Sequence, residues 1–118
     1  MVKPAEPMLV PVEMPYHGEN GMTLVVGQGG LPIAVKRVFF LVGVPRDGVR
    51  GDHAHRRCHQ LFMPLEGEWE VEVQGAGDPL SWTLRTRESA LWVTPMNWVR
   101  VINRGWGGGW MAVLASAP

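Results

Sequence analysis

Alternation of apolar and polar residues runs through much of the chain and is clearest at residues 68–73. There Trp69, Val71 and Val73 alternate with three glutamates. Successive side chains of a β-strand point to opposite faces, so this spacing predicts a strand with one buried face and one solvated face. No segment sustains the 3.6-residue spacing of an amphipathic helix. The pattern therefore predicts an all-β protein.

Other short apolar runs lie between turn residues, and the chain's 15 glycines and 10 prolines supply those turns. The strongest run predicts a strand over 33–42. Further strands are predicted at 22–26, 61–65, 81–85, 89–94, 97–103 and 110–115. About eight strands, with turns every eight to twelve residues, are typical of a β-sandwich or small barrel. A length of 118 residues suits a single domain.

The first 20 residues predict a proline-rich arm. Prolines at positions 4, 7, 11 and 15 exclude a helix and favour extended backbone. Residues 8–10 are apolar and are able to add to a sheet edge, including that of a partner subunit. Residues 16–21 predict a turn, because they are rich in glycine and polar side chains.

Composition narrows the class of protein. The 11 basic and 11 acidic residues balance, and no Lys/Arg run gives the footprint of a nucleic-acid-binding surface. Cys58 is the single cysteine, which excludes an internal disulfide. No apolar run approaches the roughly 20 residues of a membrane helix, and the proline-broken start does not resemble a signal peptide. We therefore expect a cytoplasmic protein with no membrane partner.

The candidate chemistry lies in residues 49–60, which hold three of the four histidines. His53 and His55 are two apart, so on a strand they point to the same side. Arg50 precedes them, and Arg37 shares a strand face with Phe39 upstream. Arg37 is either an anion ligand inside a cavity or a strand-end residue that reaches solvent. Paired imidazoles beside cations suit either a metal site or acid–base chemistry on an anionic substrate.

The donor set favours acid–base chemistry. Metal-binding cupins use His-x-His followed by Glu, and a second motif adds another histidine. Here position 60 is Gln60, and the second motif has Val99 and Arg100 where an imidazole is expected. Two imidazoles and an amide are a poor set for Fe, Mn or Zn. A free imidazole, with an unperturbed pKa of about 6.5, is well placed to move protons near neutral pH.

The stretch Arg50-Gly51-x-His53-Ala54-His55, followed by Gln60, resembles the signature of the WxcM-like cupins. These are nucleotide-sugar 3,4-ketoisomerases that act on dTDP-4-dehydro-6-deoxyglucose. Residues 36–40, 91–95 and 113–116 resemble other strands of that family. The resemblance implies a single-domain cupin, that is, a jelly-roll β-sandwich or barrel. It also implies a homodimer that needs no metal and no cofactor. Family members exchange N-terminal strands between subunits, and residues 1–20 are the segment of this chain that would be exchanged.

The resemblance further implies that His53 and His55 are catalytic and shuttle a proton between C3 and C4 of the sugar through an enediol. The substrate-binding residues predicted with them are Arg37, Phe39, Arg50, Gln60 and Trp98. The chain departs from the family at Phe39 and Phe40, where relatives often carry a tyrosine. This departure leaves open a non-catalytic nucleotide-sugar-binding cupin. A metal-dependent cupin dioxygenase is the third hypothesis.

Overall fold

The computed structural model describes residues 6–118, which form ten strands and no helix. The strands are β1 (Met8–Gly18), β2 (Gly21–Val26), β3 (Arg37–Val44), β4 (Val49–Ala54), β5 (Gln60–Glu66), β6 (Glu68–Gln74), β7 (Leu80–Arg85), β8 (Ser89–Val93), β9 (Trp98–Asn103) and β10 (Gly109–Ala115). The prediction of an all-β, cupin-like domain is confirmed. A search of the described residues for a helix able to cross a membrane finds none.

The strands form two antiparallel sheets. One has six strands in the order β2-β1-β8-β5-β10-β3, and the other has four in the order β4-β9-β6-β7. β3 and β4 are each the last strand of their sheet, and they are joined by a short turn at residues 45–48.

The main core lies between the sheets and follows from strand alternation. Trp69, Val71 and Val73 on β6 are almost fully buried, while the glutamates between them are only partly buried. The predicted solvated face of β6 is therefore confirmed. The Trp69 indole N–H donates to the Glu66 carbonyl at 3.1 Å, so the largest core side chain keeps its polar atom paired. Burial of this strand face stabilises the contact between the two sheets.

A second apolar cluster covers the outer face of the six-stranded sheet. Its buried members come from β1, β5, β8 and β10: Val10, Leu61, Met63, Ala90 and Ala112. β2 and the segment before β3 add partly buried side chains to it. This second cluster does not extend over β3, whose Val38, Phe40 and Val42 are about half exposed. The larger sheet is thus apolar on both faces.

The N-terminal prediction was wrong in its boundaries. Residues 16–18 continue β1, and only Glu19 and Asn20 form the turn to β2. Residues 8–10 do add to a sheet, as expected, because Met8–Pro11 pair with β8. β2 then pairs with the other part of β1 and is the last strand of that sheet. Pairing with β2 shifts register between Glu13 and Tyr16, so Pro15, which has no N–H to donate, sits in an irregularity of the ladder. Residues 1–5 of the predicted arm lie outside the described residues.

The strand predicted at 33–42 begins later, at Arg37, and runs to Val44. Residues 6–118 form ten strands rather than about eight. The histidine stretch forms the expected strand, as β4, and residues 8–18 of the N-terminal arm add β1. The bounds of these strands depend on pairing partners far along the chain, since β3 pairs with β10 and β4 pairs with β9.

Candidate active site

A cavity of about 230 Å³ opens between the two sheets, beside their terminal strands β3 and β4. Its lining residues are Phe39, Leu41, Arg50, Gly51, His53, Gln60, Phe62, Val99, Val101 and Val113. The apolar walls are continuous with the main core, and the polar groups come from β4 and the start of β5. The volume lies below the roughly 300–1,000 Å³ of sites for drug-sized ligands, so it suits one ring-sized group.

An irregularity in β4 decides which side chains reach the cavity. Arg50 pairs with Val101 and His53 pairs with Val99, but both Gly51 and Asp52 lie opposite Arg100. Gly51 and Asp52 have positive φ angles of 82° and 66°, as expected where an extra residue is inserted into a ladder. Arg50 and His53 are three residues apart, so in a regular strand their side chains would face opposite sides. The bulge brings both to the cavity side.

His53 and His55 form an edge-to-face pair with ring centroids 4.6 Å apart. His53 is exposed at the cavity, whereas His55 is half-buried and its Nε2 atom is buried without a hydrogen-bond partner in the described residues. Burial lowers the pKa of His55 below its ordinary value, and the nearby His53 and Arg37 lower it further. His55 is therefore held toward its neutral form.

Two arginines give the site a positive character. The Arg37 guanidinium lies 5.0 Å from the centre of the Phe39 ring, a cation–π contact. Arg50 lines the cavity itself. Among residues 6–118, neither forms an ion pair with a carboxylate, whereas Arg85, Arg100 and Arg104 all do. The two site arginines are thus free to bind an anionic group.

The sequence profile of the family described as FdtA, WxcM-like, C-terminal, matches residues 11–118. The chain belongs to this family. The resemblance inferred from the sequence is therefore confirmed. Comparison with curated protein sequences gives no match.

Several solved structures share the fold of this WxcM-like chain. QdtA, a sugar 3,4-ketoisomerase from Thermoanaerobacterium thermosaccharolyticum in complex with TDP, has a TM-score of 0.82 at 23% identity, over 96% of this chain and 82% of that one. WlaRA, a TDP-fucose-3,4-ketoisomerase from Campylobacter jejuni, has a TM-score of 0.79 at 20% identity, over 97% and 84%. ChmJ, a 3'-monoepimerase from Streptomyces bikiniensis in complex with dTDP-quinovose, has a TM-score of 0.80 at 12% identity, over 99% and 67%.

The structure of this WxcM-like chain gathers most of the predicted site residues. Phe39, Arg50, His53 and Gln60 line the cavity. His55 stacks edge-on against His53, and Arg37 stacks on Phe39. Trp98 is the exception. It alternates along β9 with the cavity-lining Val99 and Val101, so its side chain lies on the outer face of the small sheet.

Sequence reasoning missed the bulge and the apolar walls. Gly51 is part of the family motif, but no bulge was predicted at Gly51 or Asp52, although a glycine inside a strand is a known signal for one. Phe62, Val101 and Val113 come from three strands that are distant in sequence, so only the sheet pairing brings them to one cavity.

The cavity offers a metal ion the His53 imidazole and the Gln60 amide, with the His55 imidazole behind His53 and two guanidinium groups nearby. No group of three or more His, Cys, Asp or Glu side chains suited to a metal ion is found in the region from Glu6 to Pro118. His59 is engaged elsewhere, since its Nδ1 accepts a hydrogen bond from the Trp92 indole at 3.0 Å. The donor chemistry thus fits acid–base work better than metal binding.

Proposed function

We propose that the chain is an isomerase that moves the keto group between C4 and C3 of a dTDP-linked 4-keto-6-deoxy sugar, in deoxysugar biosynthesis. Family membership and the ketoisomerase activities of structurally similar proteins support this function. The observation that carries the proposal is the convergence of Arg50, His53 and Gln60 on one small cavity beside His55. A base, an acid and an anion-stabilising cation are all that this reaction needs.

In the proposed mechanism, His53 takes the proton from C3, next to the C4 ketone. The C–H electron pair forms the C3–C4 double bond, the π pair of the C4 carbonyl moves to its oxygen, and that oxygen takes a proton from His55, which gives an enediol. His55 then takes the proton of the C3 hydroxyl as His53 returns its proton to C4, and the ketone is left at C3. His55 is the second proton carrier, because it lies against His53 and its burial lowers its pKa, which favours the neutral imidazole.

The remaining groups bind and orient the substrate. Arg37 and Arg50 bind the diphosphate or the developing enediolate oxygen. Neither arginine is paired with a carboxylate within the described residues, so both guanidinium groups are free to bind an anion. Gln60 is only 4% exposed and faces the cavity, so its amide is placed to bind a sugar hydroxyl. Phe39 supplies a flat apolar wall. The cavity volume suits the sugar ring, and the nucleotide extends outside.

Deuterium exchange tests the proposed reaction directly. Purified protein in D₂O without added metal is incubated with dTDP-4-keto-6-deoxyglucose, and the sugar is followed by NMR. We expect deuterium at C3 of the remaining substrate and at C4 of a new 3-keto product. The stereochemistry at C4 follows from the same spectra. Substrate incubated without protein is the control for spontaneous exchange.

A second candidate is a cupin that binds a nucleotide sugar without converting it. The observation in its favour is the side chain at position 39, a phenylalanine that offers no hydroxyl to the cavity. Saturable binding of the nucleotide sugar with no exchange at C3 would support this candidate and overturn the isomerase. Loss of exchange after metal chelation, with stoichiometric Fe, Mn or Zn by elemental analysis, would support a metal-dependent cupin instead.

We further propose that the active species is a homodimer. Val38, Phe40 and Val42 form an exposed apolar stripe on the outer face of β3, at the end of the larger sheet. A second copy that covers this stripe would complete the apolar cluster on that face. β1 pairs with β2 and β8 of its own chain, and exchange of residues 1–20 between subunits stays a prediction.

A further inference from the structure

A hydrogen bond outside the cavity links the two strands that carry the site. The Trp98 indole Nε1–H donates to the Asp52 carboxylate at 2.8 Å. Trp98 opens β9, and Asp52 is the residue of β4 immediately before His53. Both side chains lie on the outer face of the small sheet, away from the cavity.

Asp52 is also the residue whose backbone makes the bulge. Its φ of 66° lies in the left-handed region, which costs free energy for any residue except glycine and is best tolerated by Asn and Asp. The position therefore needs support from its surroundings. The Trp98 indole supplies one contact, and Arg100 supplies a second, with its Nε 3.7 Å from the same carboxylate oxygen.

This support has a consequence for the site. With the bulge, Arg50 and His53 lie opposite Val101 and Val99 and reach the cavity together. Without it, strand alternation would turn one of them away. The geometry therefore points to Asp52 and Trp98 as positioning residues that hold the imidazole of His53 and the guanidinium of Arg50 on one side of β4. Trp98 acts from outside the cavity and does not contact the substrate. This inference rests on the proposed function for its kinetic test.

The test compares Trp98→Phe, which keeps a ring but removes the N–H donor, with Trp110→Phe. Trp110 is a matched control, because the two indoles are 45% and 44% exposed and Trp110 lies on β10, away from the bulge. We expect Trp98→Phe to lower kcat on the order of tenfold, since small misplacements of reacting groups are costly. KM and the Kd for TDP should change less than kcat, because His53 follows Asp52 directly whereas Arg50 lies two residues before it. Trp110→Phe should leave all three unchanged.

Variants of Asp52 separate positioning from general destabilisation. Asp52→Ala removes the acceptor and should reduce kcat as Trp98→Phe does, and the double variant should be no slower than either single one. Asp52→Asn keeps an acceptor oxygen and tolerance of the left-handed backbone, so it should restore most of the activity. Additive losses in the double variant would overturn the inference.

Imidazole NMR gives a readout that does not depend on turnover. Trp98→Phe should move the His53 ring resonances, and Trp110→Phe should not. Unmoved His53 resonances, or a kcat within twofold of wild type, would overturn the inference. A raised Kd for TDP with unchanged kcat would instead make Trp98 a substrate-contact residue. If the wild type shows no isomerisation at all, the proposed function fails, and the NMR comparison still decides the positioning role.

Discussion

At the residue scale, two histidines of one short stretch meet different environments. His53 is exposed at the cavity, while His55 is half-buried with Nε2 away from solvent and unpartnered within the described residues. Burial lowers the pKa of His55, and the nearby His53 and Arg37 lower it further. The pair therefore combines an imidazole exposed at the cavity with a half-buried neighbour whose pKa is lowered, which is an arrangement suited to passing a proton between two sites.

His53→Asn should abolish isomerisation and leave nucleotide binding nearly intact. The variant removes the proposed base, but the two arginines and the cavity walls remain. Loss of turnover by several orders of magnitude is expected if His53 is the base, measured by NMR of the sugar, with TDP affinity measured by calorimetry. Circular dichroism provides the control for folding. An unfolded His53→Asn protein would show instead that this histidine is structural.

The lowered pKa of His55 predicts a stability that falls on acidification. An imidazole in the unfolded chain takes up a proton near pH 6.5, whereas folded His55 takes it up only at lower pH. Between these values the unfolded state binds more protons, so the free energy of unfolding decreases as pH falls below about 6.5. Urea unfolding from pH 8 to pH 5 measures this loss.

In His55→Gln, the loss between pH 8 and pH 5 should be smaller than in the wild type. The control is His17→Gln, because His17 is an exposed residue of β1 that does not line the cavity. This variant should lose as much stability between pH 8 and pH 5 as the wild type does. Equal slopes in His55→Gln and wild type would contradict the prediction.

At the scale of the element, β4 is an exposed strand at the end of its sheet, and a bulge gives it its function. In a regular β4, every second residue would face the cavity, and Arg50 and His53 would then point to opposite sides. The extra residue at Asp52 shifts the alternation by one position, so Arg50 and His53 face the cavity together.

Gly51→Ala should therefore damage both stability and activity. The φ of 82° disfavours any side chain, and an added Cβ would lie 3.1 Å from the Val99 carbonyl oxygen. A loss of about 1–3 kcal/mol in the free energy of unfolding is expected, measured by urea denaturation, together with a lower kcat. Gly77→Ala is the matched control, because an added Cβ there meets nothing within 4 Å. Equal effects of the two variants would argue against a strained bulge.

At the scale of the whole molecule, the larger sheet is apolar on both faces, but one chain covers only part of its outer face. Phe40 is 56% exposed, although it pairs with Ala112, a member of the outer cluster. In the proposed homodimer, a second copy would cover this apolar stripe at the end of the sheet.

Phe40→Glu should convert the dimer to a monomer, because the charge would have to be buried at the interface. Sedimentation velocity measures the oligomeric state. Leu80→Glu is the control, since Leu80 is also about half exposed but lies on β7, the far edge of the other sheet. A dimeric Phe40→Glu protein would move the interface to another face, and a monomeric wild type would refute the dimer.

Much of the fold could be predicted because strand alternation is local. The pattern at 68–73 identified the buried face of β6 correctly, and the histidine motif pointed to residues that meet at one cavity. The turn predicted at 16–21 failed because pairing with β2 extends β1 to Gly18, which outweighs local turn propensity. Trp98 was predicted to bind substrate because of the family resemblance, but a motif does not show on which face of β9 a side chain lies.

The all-β class, the inward and outward residues of regular strands, and the residue types of the acid–base chemistry can all be inferred from the amino-acid sequence. They depend on the two-residue period of a strand and on the functional groups of the side chains, which are properties of the chain itself. Three features required the folded arrangement: Arg50 and His53 share a side, Val101 and Phe62 wall the cavity, and Trp98 lies outside it. These features depend on register, bulges and sheet order, which arise from hydrogen bonds between strands far apart in the chain.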